Sequence, residues 1–269
     1  MAILDIIISY LLQIACTIGA LFVFGFLIAL CNKWFYSNFG SHNTAVCYVT
    51  GFIGTPVHEC SHALFCLIFA HKITEIKLFQ INSEDGTLGY VTHSYNPKNI
   101  YQKAGNFFIG IAPMIVISAL LYLFAYLIIP GTLSDMTTLA KTISLDGGVG
   151  NFFESVYRIV YTFFAAATTW QWWVFVIVGM FFALHMTLSN ADIKGALSGL
   201  VIVLIIVLII DVILRLVGDS TLQSFNNVVF SIGATLDIFL LLALIISIVA
   251  CLFSLIYKFT IGAILRKRG

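Results

Sequence analysis

Five consecutive residues, His58-Glu59-Cys60-Ser61-His62, carry the strongest chemical signal in this sequence. Two histidines four apart on a helix project from one face, their Cβ atoms about 5–6 Å from each other. Two neutral imidazoles placed in this way can share one Zn²⁺. Glu59 stands one step round the helix from His58, where its carboxylate can reach a water beside the metal without ligating the metal. This is the HExxH arrangement, in which the glutamate serves as a general base. The chain has only six histidines, so the pairing is not a by-product of composition. It also falls inside a long apolar run, where ionisable groups are costly and usually functional. A purely structural polar cluster joining helices is the competing reading.

A catalytic zinc usually takes three protein ligands and keeps one position open. The third ligand must therefore come from elsewhere, and Asp192 is the best candidate. It lies in the segment His185-Met186-Thr187-Leu188-Ser189-Asn190-Ala191-Asp192-Ile193-Lys194-Gly195, at the end of a later apolar run and at a depth compatible with His58. His185 is the rival. It lies seven residues earlier, so the two can share a helical face, and it reads more naturally as a hydrogen-bonding residue behind the ligands.

The elements that must position these residues follow from composition. Of 269 residues, 61% are hydrophobic and only 9% are charged, against about 25% charged in a typical soluble domain. Crossing a bilayer takes roughly 20 helical residues, and six runs are long enough: Ile6–Leu30, Ala45–Ala70, Phe107–Ile129, Trp170–Leu188, Ala196–Val217 and Val228–Tyr257. The runs are continuous and do not alternate with a period of two, which favours helices over a barrel. The expected fold is an all-α membrane protein, a single polytopic domain over 1–269 with about six transmembrane helices. The first run lacks a basic leading segment and exceeds the usual signal-peptide core, so it counts as the first helix. Just before the zinc motif, Gly54-Thr55-Pro56 predicts a break in the second span, with Pro56 opening a new helix.

Two polar stretches interrupt the runs. Between the second and third, Ile73–Ile81 and Thr87–His93 read as strands around the turn Asn82-Ser83-Glu84-Asp85-Gly86, giving a small β-hairpin on the cytoplasmic side. Between the third and fourth, Phe152–Phe164 is amphipathic enough for an interfacial helix, and Trp170, Trp172 and Trp173 mark re-entry into the membrane.

Charge sets the orientation. The tail Arg266-Lys267-Arg268 and Lys258 should be cytoplasmic by the positive-inside rule. With six spans, Lys72, Lys77, Lys98, Lys103 and Lys194 join them, leaving Lys33, Lys141, Arg158 and Arg215 outside. Nine against four supports six spans with both termini cytoplasmic. The six cysteines, Cys16, Cys31, Cys47, Cys60, Cys66 and Cys251, form no CxxC pair and read as small hydrophobes. Asp211 and Arg215, four apart in the fifth span, read as a helix-stabilising pair facing the bundle. Together with Asp237 in the sixth they would alternatively serve an ion path. His93, Asn96 and Asn99 are polar loop residues within reach of a substrate, and His42 and His71 read as interfacial. Glu154 and Arg158 form an ExxxR pattern without the paired glutamates that such a membrane protease needs.

These residues resemble the site-2 proteases, intramembrane zinc metalloproteases whose core is one helix with HExxH, one intervening helix, and one bearing an aspartate ligand. His58, Glu59 and His62 match the first motif, and Asp192 matches the third ligand by helix order. The family often places Asn and Pro before the aspartate and Gly directly after it. Here Asn190 precedes it, no Pro does, and Gly195 follows three residues on. Gly110-Ile111-Ala112-Pro113 resembles the family's Gly-Pro segment. The resemblance covers roughly 45–199 and implies a three-helix metalloprotease core there. It also implies a membrane protein or peptide as substrate, held in the bilayer and cut near it. Nothing points to a nucleic-acid partner. Two other classes compete: a zinc-binding membrane regulator without turnover, against which the intact Glu59 argues, and a transporter, for which no inverted repeat is visible.

Overall fold

The computed structural model describes residues 2–84, 86–140 and 148–260. The first apolar run is nearly one rod. Helix α1 (Ala2–Ile14) passes through a π-helical turn at Ala15–Gly19 into α2 (Ala20–Ser37). Then follow α3 (Asn43–Ile68), strands β1 (Lys72–Lys77) and β2 (Tyr90–Ser94), α4 (Ile100–Ile128), α5 (Pro130–Ala140), α6 (Gly148–Ala165), α7 (Trp170–Ala183), α8 (Asn190–Val217) and α9 (Asp219–Phe259).

Helix α4 is the axis of the bundle. Its Phe107, Met114, Ile117 and Leu121 are buried in one core with Phe175 of α7, Ala196 of α8, and Leu240 and Ile246 of α9. Between helices in lipid there is little hydrophobic drive, so close packing of small residues does the work. A Cβ added at Gly199 would stand 2.5 Å from the Phe107 nitrogen, and one at Gly110 would stand 2.7 Å from the Ala196 Cβ. The backbones of α4 and α8 therefore touch, and this contact fixes the first turn of α8 against the middle of α4.

Four described helices are long and apolar enough to cross a membrane: Ile6–Ser37, α4, α8 and α9. The bent pair Phe153–Thr168 and Trp170–Ala183, meeting at 116°, makes a fifth if it counts as one span. Six is not reached, for two reasons. Helix α3, with 26 residues, is long enough at about 1.5 Å per residue. Its Thr50, Thr55, His58, Glu59, Ser61 and His62 lower its hydropathy, although its outer face stays apolar, with Val49, Phe52, Ile53, Leu64, Leu67 and Ile68 exposed. The run Trp170–Leu188 is helical only to Ala183, 14 residues or about 21 Å, after which the backbone is irregular up to α8.

The expected break at Gly54-Thr55-Pro56 does not occur, because α3 runs through Pro56. Proline forfeits one helical bond, to the carbonyl four residues back. Packing compensates here. Gly54 has no side chain, which lets α3 lie directly on the Phe181 carbonyl and the His185 ring.

The hairpin forms where expected, antiparallel from Lys72↔Ser94 to Lys77↔Tyr90, with an irregularity between Ile73 and Glu75. Its strands are shorter than Ile73–Ile81 and Thr87–His93. Beyond Lys77, the Gln80 N–H still donates to the Leu88 carbonyl at 2.7 Å. In the turn, Asn82 and Gly86 both have positive φ, 58° and 75°, while Asp85 lies outside the described residues. The amphipathic helix expected at Phe152–Phe164 is α6, and Thr169 caps α7 by accepting from the Trp172 N–H. Helix α5 was not expected. It opens at Pro130 and buries Leu133 and Met136. Lys141 and the tail Arg266-Lys267-Arg268 lie outside the described residues. All six cysteines are unpaired. Cys66 and Cys251 are buried, whereas Cys16 and Cys60 are exposed on the outer surface, which limits the small-core-residue reading to the buried ones.

Candidate metal centre

The i, i+4 spacing on α3 brings the two motif imidazoles together, with His58 Nε2 and His62 Nε2 3.1 Å apart. Their other ring nitrogens decide the chemistry. His58 Nδ1 lies 2.7 Å from the His185 carbonyl oxygen, and His62 Nδ1 lies 2.8 Å from the Ile109 carbonyl oxygen. A carbonyl only accepts, so each Nδ1 carries the proton and donates it. In the neutral rings both Nε2 atoms are then bare lone pairs facing each other, with no proton left to share between them.

Asp192 completes the cluster. Its Oδ1 is 3.2 Å from His62 Nε2 and its Oδ2 is 3.8 Å from His58 Nε2. The carboxylate is held by a capping box at the start of α8. Ser189 Oγ accepts from the Asp192 N–H at 3.1 Å, and Asp192 Oδ2 accepts from the Ser189 N–H at 2.7 Å. Helix N-termini also favour negative charge. Ser189 and Asp192 thus end the irregular stretch after α7 and aim an acid at α3 in one step.

One ligand atom from each of His58, His62 and Asp192 lies within 4.8 Å of the others. Two lone pairs and a carboxylate converging in a mostly buried place repel one another unless a cation sits among them. A tetrahedral zinc with Zn–N bonds of about 2.0–2.1 Å has edges of about 3.3–3.4 Å, close to the 3.1 and 3.2 Å separations seen here. The donor set fits zinc.

Glu59 is 7% exposed and lines a cavity of about 140 Å³ with Thr55, His58, Leu88, Gly89, His185 and Thr187. A Cβ at Gly89 would come 2.9 Å from Glu59 Cγ, so the chain leading into β2 passes directly over this carboxylate. On the other flank, a second cavity of about 110 Å³ is lined by His62, Val91, His93, Asn106, Ile109, Gly110, Ala191, Asp192 and Gly195. The hairpin borders both cavities.

His185 does not join the metal cluster. Its ring lies against Thr50 (3.1 Å), Tyr36 (3.2 Å) and Thr55 (3.4 Å), and its contribution to the centre is its backbone carbonyl. Asn99 caps α4 and Asn96 accepts from the Lys98 N–H in the preceding turn, while His93 lines the cavity beside the cluster. His71, read as interfacial, is buried within the protein at 4% exposed. It packs under the hairpin against His93 and Tyr95. Burial, and then the neighbouring His71 and His62, lower the pKa of His93 from the ordinary histidine value.

Away from the centre, Asp211 is fully buried and accepts from Gln13 Nε2 at 3.1 Å. The same Nε2 donates to Asn226 Oδ1 at 2.6 Å. Arg215 pairs with Asp219 at 3.0 Å. These residues tie α1, α8 and α9 together in place of the expected Asp211–Arg215 pair: Asp211 is held by Gln13 of α1 and Arg215 reaches the first residue of α9. Asp237 is half-buried on α9. Glu154 and Arg158 form an exposed ion pair on α6. The residue that sequence reasoning passes over is Asn106. Its only signal is that it is an amide at the head of the apolar stretch of α4, next to Gly105 and four residues before Gly110.

Residues 51–161 match a family model described as "Putative zincin peptidase". The matched stretch holds His58, Glu59, His62, the hairpin and Asn106, and stops before Asp192. It supports a zinc metallopeptidase. No curated protein and no solved structure matches the chain.

Proposed function

We propose that this chain is an intramembrane zinc metalloprotease of the site-2-protease type, hydrolysing peptide bonds of membrane-embedded or membrane-proximal proteins. The observation that carries the reading is the pair of bare Nε2 atoms facing Asp192, with Glu59 beside them, inside a bundle whose other helices include four apolar enough to cross a membrane. In this reading 45–199 is the catalytic core, and the hairpin and both termini face the cytoplasm.

His58, His62 and Asp192 would hold the metal, which when bound supplies Lewis acidity toward a carbonyl oxygen and eases the loss of a proton from water. The His185 and Ile109 carbonyls keep both rings in the tautomer that leaves Nε2 free, and raise the basicity of those nitrogens. Glu59 Oε takes a proton from the attacking water as its oxygen bonds to the carbonyl carbon. Glu59 then delivers that proton to the leaving nitrogen as the C–N bond breaks. Covered by Leu88 and Gly89, the carboxylate works in a place with little bulk water, where its charge acts more strongly. A helical substrate must unwind before it is cut, and the chain from Leu88 into β2, running past both cavities, offers backbone groups to an extended segment.

The test has two parts. Purified protein should contain about one zinc per chain, lost when His58 or His62 is replaced. Glu59→Gln should keep the zinc and lose cleavage of membrane substrates found by comparing membrane proteomes with and without the active protein, by at least the roughly 10²–10⁴-fold typical of a general base. Full cleavage by Glu59→Gln would refute the mechanism. Zinc bound in the absence of any cleavage by the wild type would favour the regulatory reading.

A further inference from the structure

The cavity on the Asp192 side of the centre contains two polar groups that the mechanism above does not use. Asn106 is 3% exposed, and among the described residues no hydrogen bond reaches its side-chain amide. A buried amide without a partner is costly. Here its polar edge opens onto the cavity it shares with His62 and Asp192. The second group is His93, whose tautomer is set by a relay. His71 Nε2 lies 2.7 Å from the Gln102 carbonyl oxygen, and His71 Nδ1 lies 2.9 Å from His93 Nδ1. The carbonyl only accepts, so His71 carries its proton on Nε2 and its Nδ1 is bare. His93 must then donate from Nδ1, which leaves Nε2 a bare acceptor on a residue that lines the cavity.

The rest of the wall is small or apolar. Gly110, Ala191 and Gly195 form one side, with Val91 and Ile109 alongside. Gly195 is informative because a Cβ built there meets nothing within 4 Å. The space over it is not needed for helix packing, unlike that over Gly110, where a Cβ would collide with Ala196.

A primary amide presents one donor and one acceptor side by side, and the N–H and C=O of a single residue in an extended strand face the same way, so the two pair reciprocally. Resting on the metallopeptidase reading above, we propose that this cavity is the subsite that grips the backbone of an extended peptide next to the scissile bond. Asn106 and His93 Nε2 are its polar contacts, and the room over Gly195 takes one small side chain. The recognised chemistry is the peptide backbone, with a size limit on the neighbouring residue. Substrates with Gly, Ala or Ser at that position are preferred over those with large aromatic residues.

The experiment uses the zinc-loaded full chain in detergent and two probes. Acetohydroxamate reports on the metal alone. A pair of tri-alanine hydroxamates, extended from the hydroxamate in one chain direction or the other, reports on the subsite. In the wild type at least one tri-alanine compound should bind more tightly than acetohydroxamate. Asn106→Ala should reduce that advantage by about tenfold, the worth of a hydrogen bond to an otherwise unpaired buried group, with zinc content and acetohydroxamate affinity unchanged. Gly195→Val adds bulk to the cavity where a Cβ meets nothing within 4 Å, and leaves the metal triad and Asn106 themselves unaltered. It should abolish the advantage and shift cleavage further toward small residues, and it keeps the proposal testable if Asn106→Ala folds poorly. An unchanged tri-alanine advantage in both variants would overturn the subsite while leaving the metallopeptidase reading intact. Failure of the zinc-loaded wild type to bind acetohydroxamate would overturn the underlying reading and the subsite with it.

Discussion

Replacing Asp192 by asparagine separates its two tasks. As the third residue of α8 it accepts the Ser189 N–H, and as a carboxylate it faces the two imidazoles. Asparagine retains an oxygen for the cap, so the helix start should lose well under the roughly 1 kcal/mol that a missing cap costs. Its NH₂ would then be turned toward the bare Nε2 atoms, offering them hydrogens in place of a ligand. The side chains of His58, His62 and Asp192 are only 12%, 8% and 15% exposed, so solvent screens little of the lost charge. Removing one partner from a buried ionic cluster costs about 3–5 kcal/mol. At about 1.4 kcal/mol per power of ten, zinc affinity should fall between about a hundredfold and several thousandfold. His185→Ala should cost less than tenfold, because the group that holds His58 is the backbone carbonyl, which alanine retains. Competition with a zinc chelator of known affinity measures both variants, and thermal unfolding without metal checks the cap. If Asp192→Asn binds zinc within threefold of wild type, or His185→Ala is the weaker binder, the ligand set is wrong.

Gly110→Val should force α4 and α8 apart, since its Cβ would stand 2.7 Å from the Ala196 Cβ; zinc occupancy and thermal stability should fall together, and unchanged values would refute the packing argument. Single cysteines at Lys77 and at Lys258, in a background where accessible native cysteines are replaced, should be labelled from the same side of the membrane; labelling from opposite sides would exclude the six-span topology. Arg158→Ala removes an ion pair whose side chains are 62% and 56% exposed, so it should cost under about 1 kcal/mol and leave cleavage unchanged. A large loss of activity would instead give the Glu154–Arg158 pair a catalytic part.

The metal-facing residues were legible because their signals are local or nearly so. The spacing of His58 and His62 alone puts them on one face, and Asp192 closes a later apolar run at the depth of His58, although the structure places it in the first turn of α8 and not at the end of α7. What stayed hidden depends on neighbours distant in sequence. The survival of α3 across Pro56 rests on Gly54 meeting His185. The early end of α7 rests on the irregular stretch that delivers the His185 carbonyl to His58. The span count blurs where one helix must be both membrane-embedded and polar enough to bind a metal, as α3 is. Asn106 carries no recognisable spacing, and its meaning appears only once the cavity wall opposite it, from β2 and α8, is in place.

The two carbonyls that orient the imidazoles come from different parts of the chain, Ile109 on α4 and His185 after α7, 47 and 127 residues from their histidines. Synthesis proceeds from the N-terminus, so the motif helix is made long before these anchors and before Asp192. A nascent chain that ends within α4 or α6 has the motif but neither a second anchor nor a third ligand. Because metal binding and folding are coupled, the centre is assembled only after the first turn of α8 has docked on Gly110. On the proposed reading, a chain at that stage lacks the ligand set that hydrolysis needs. On that reading, the order of the chain itself delays the chemistry until α8 has been made.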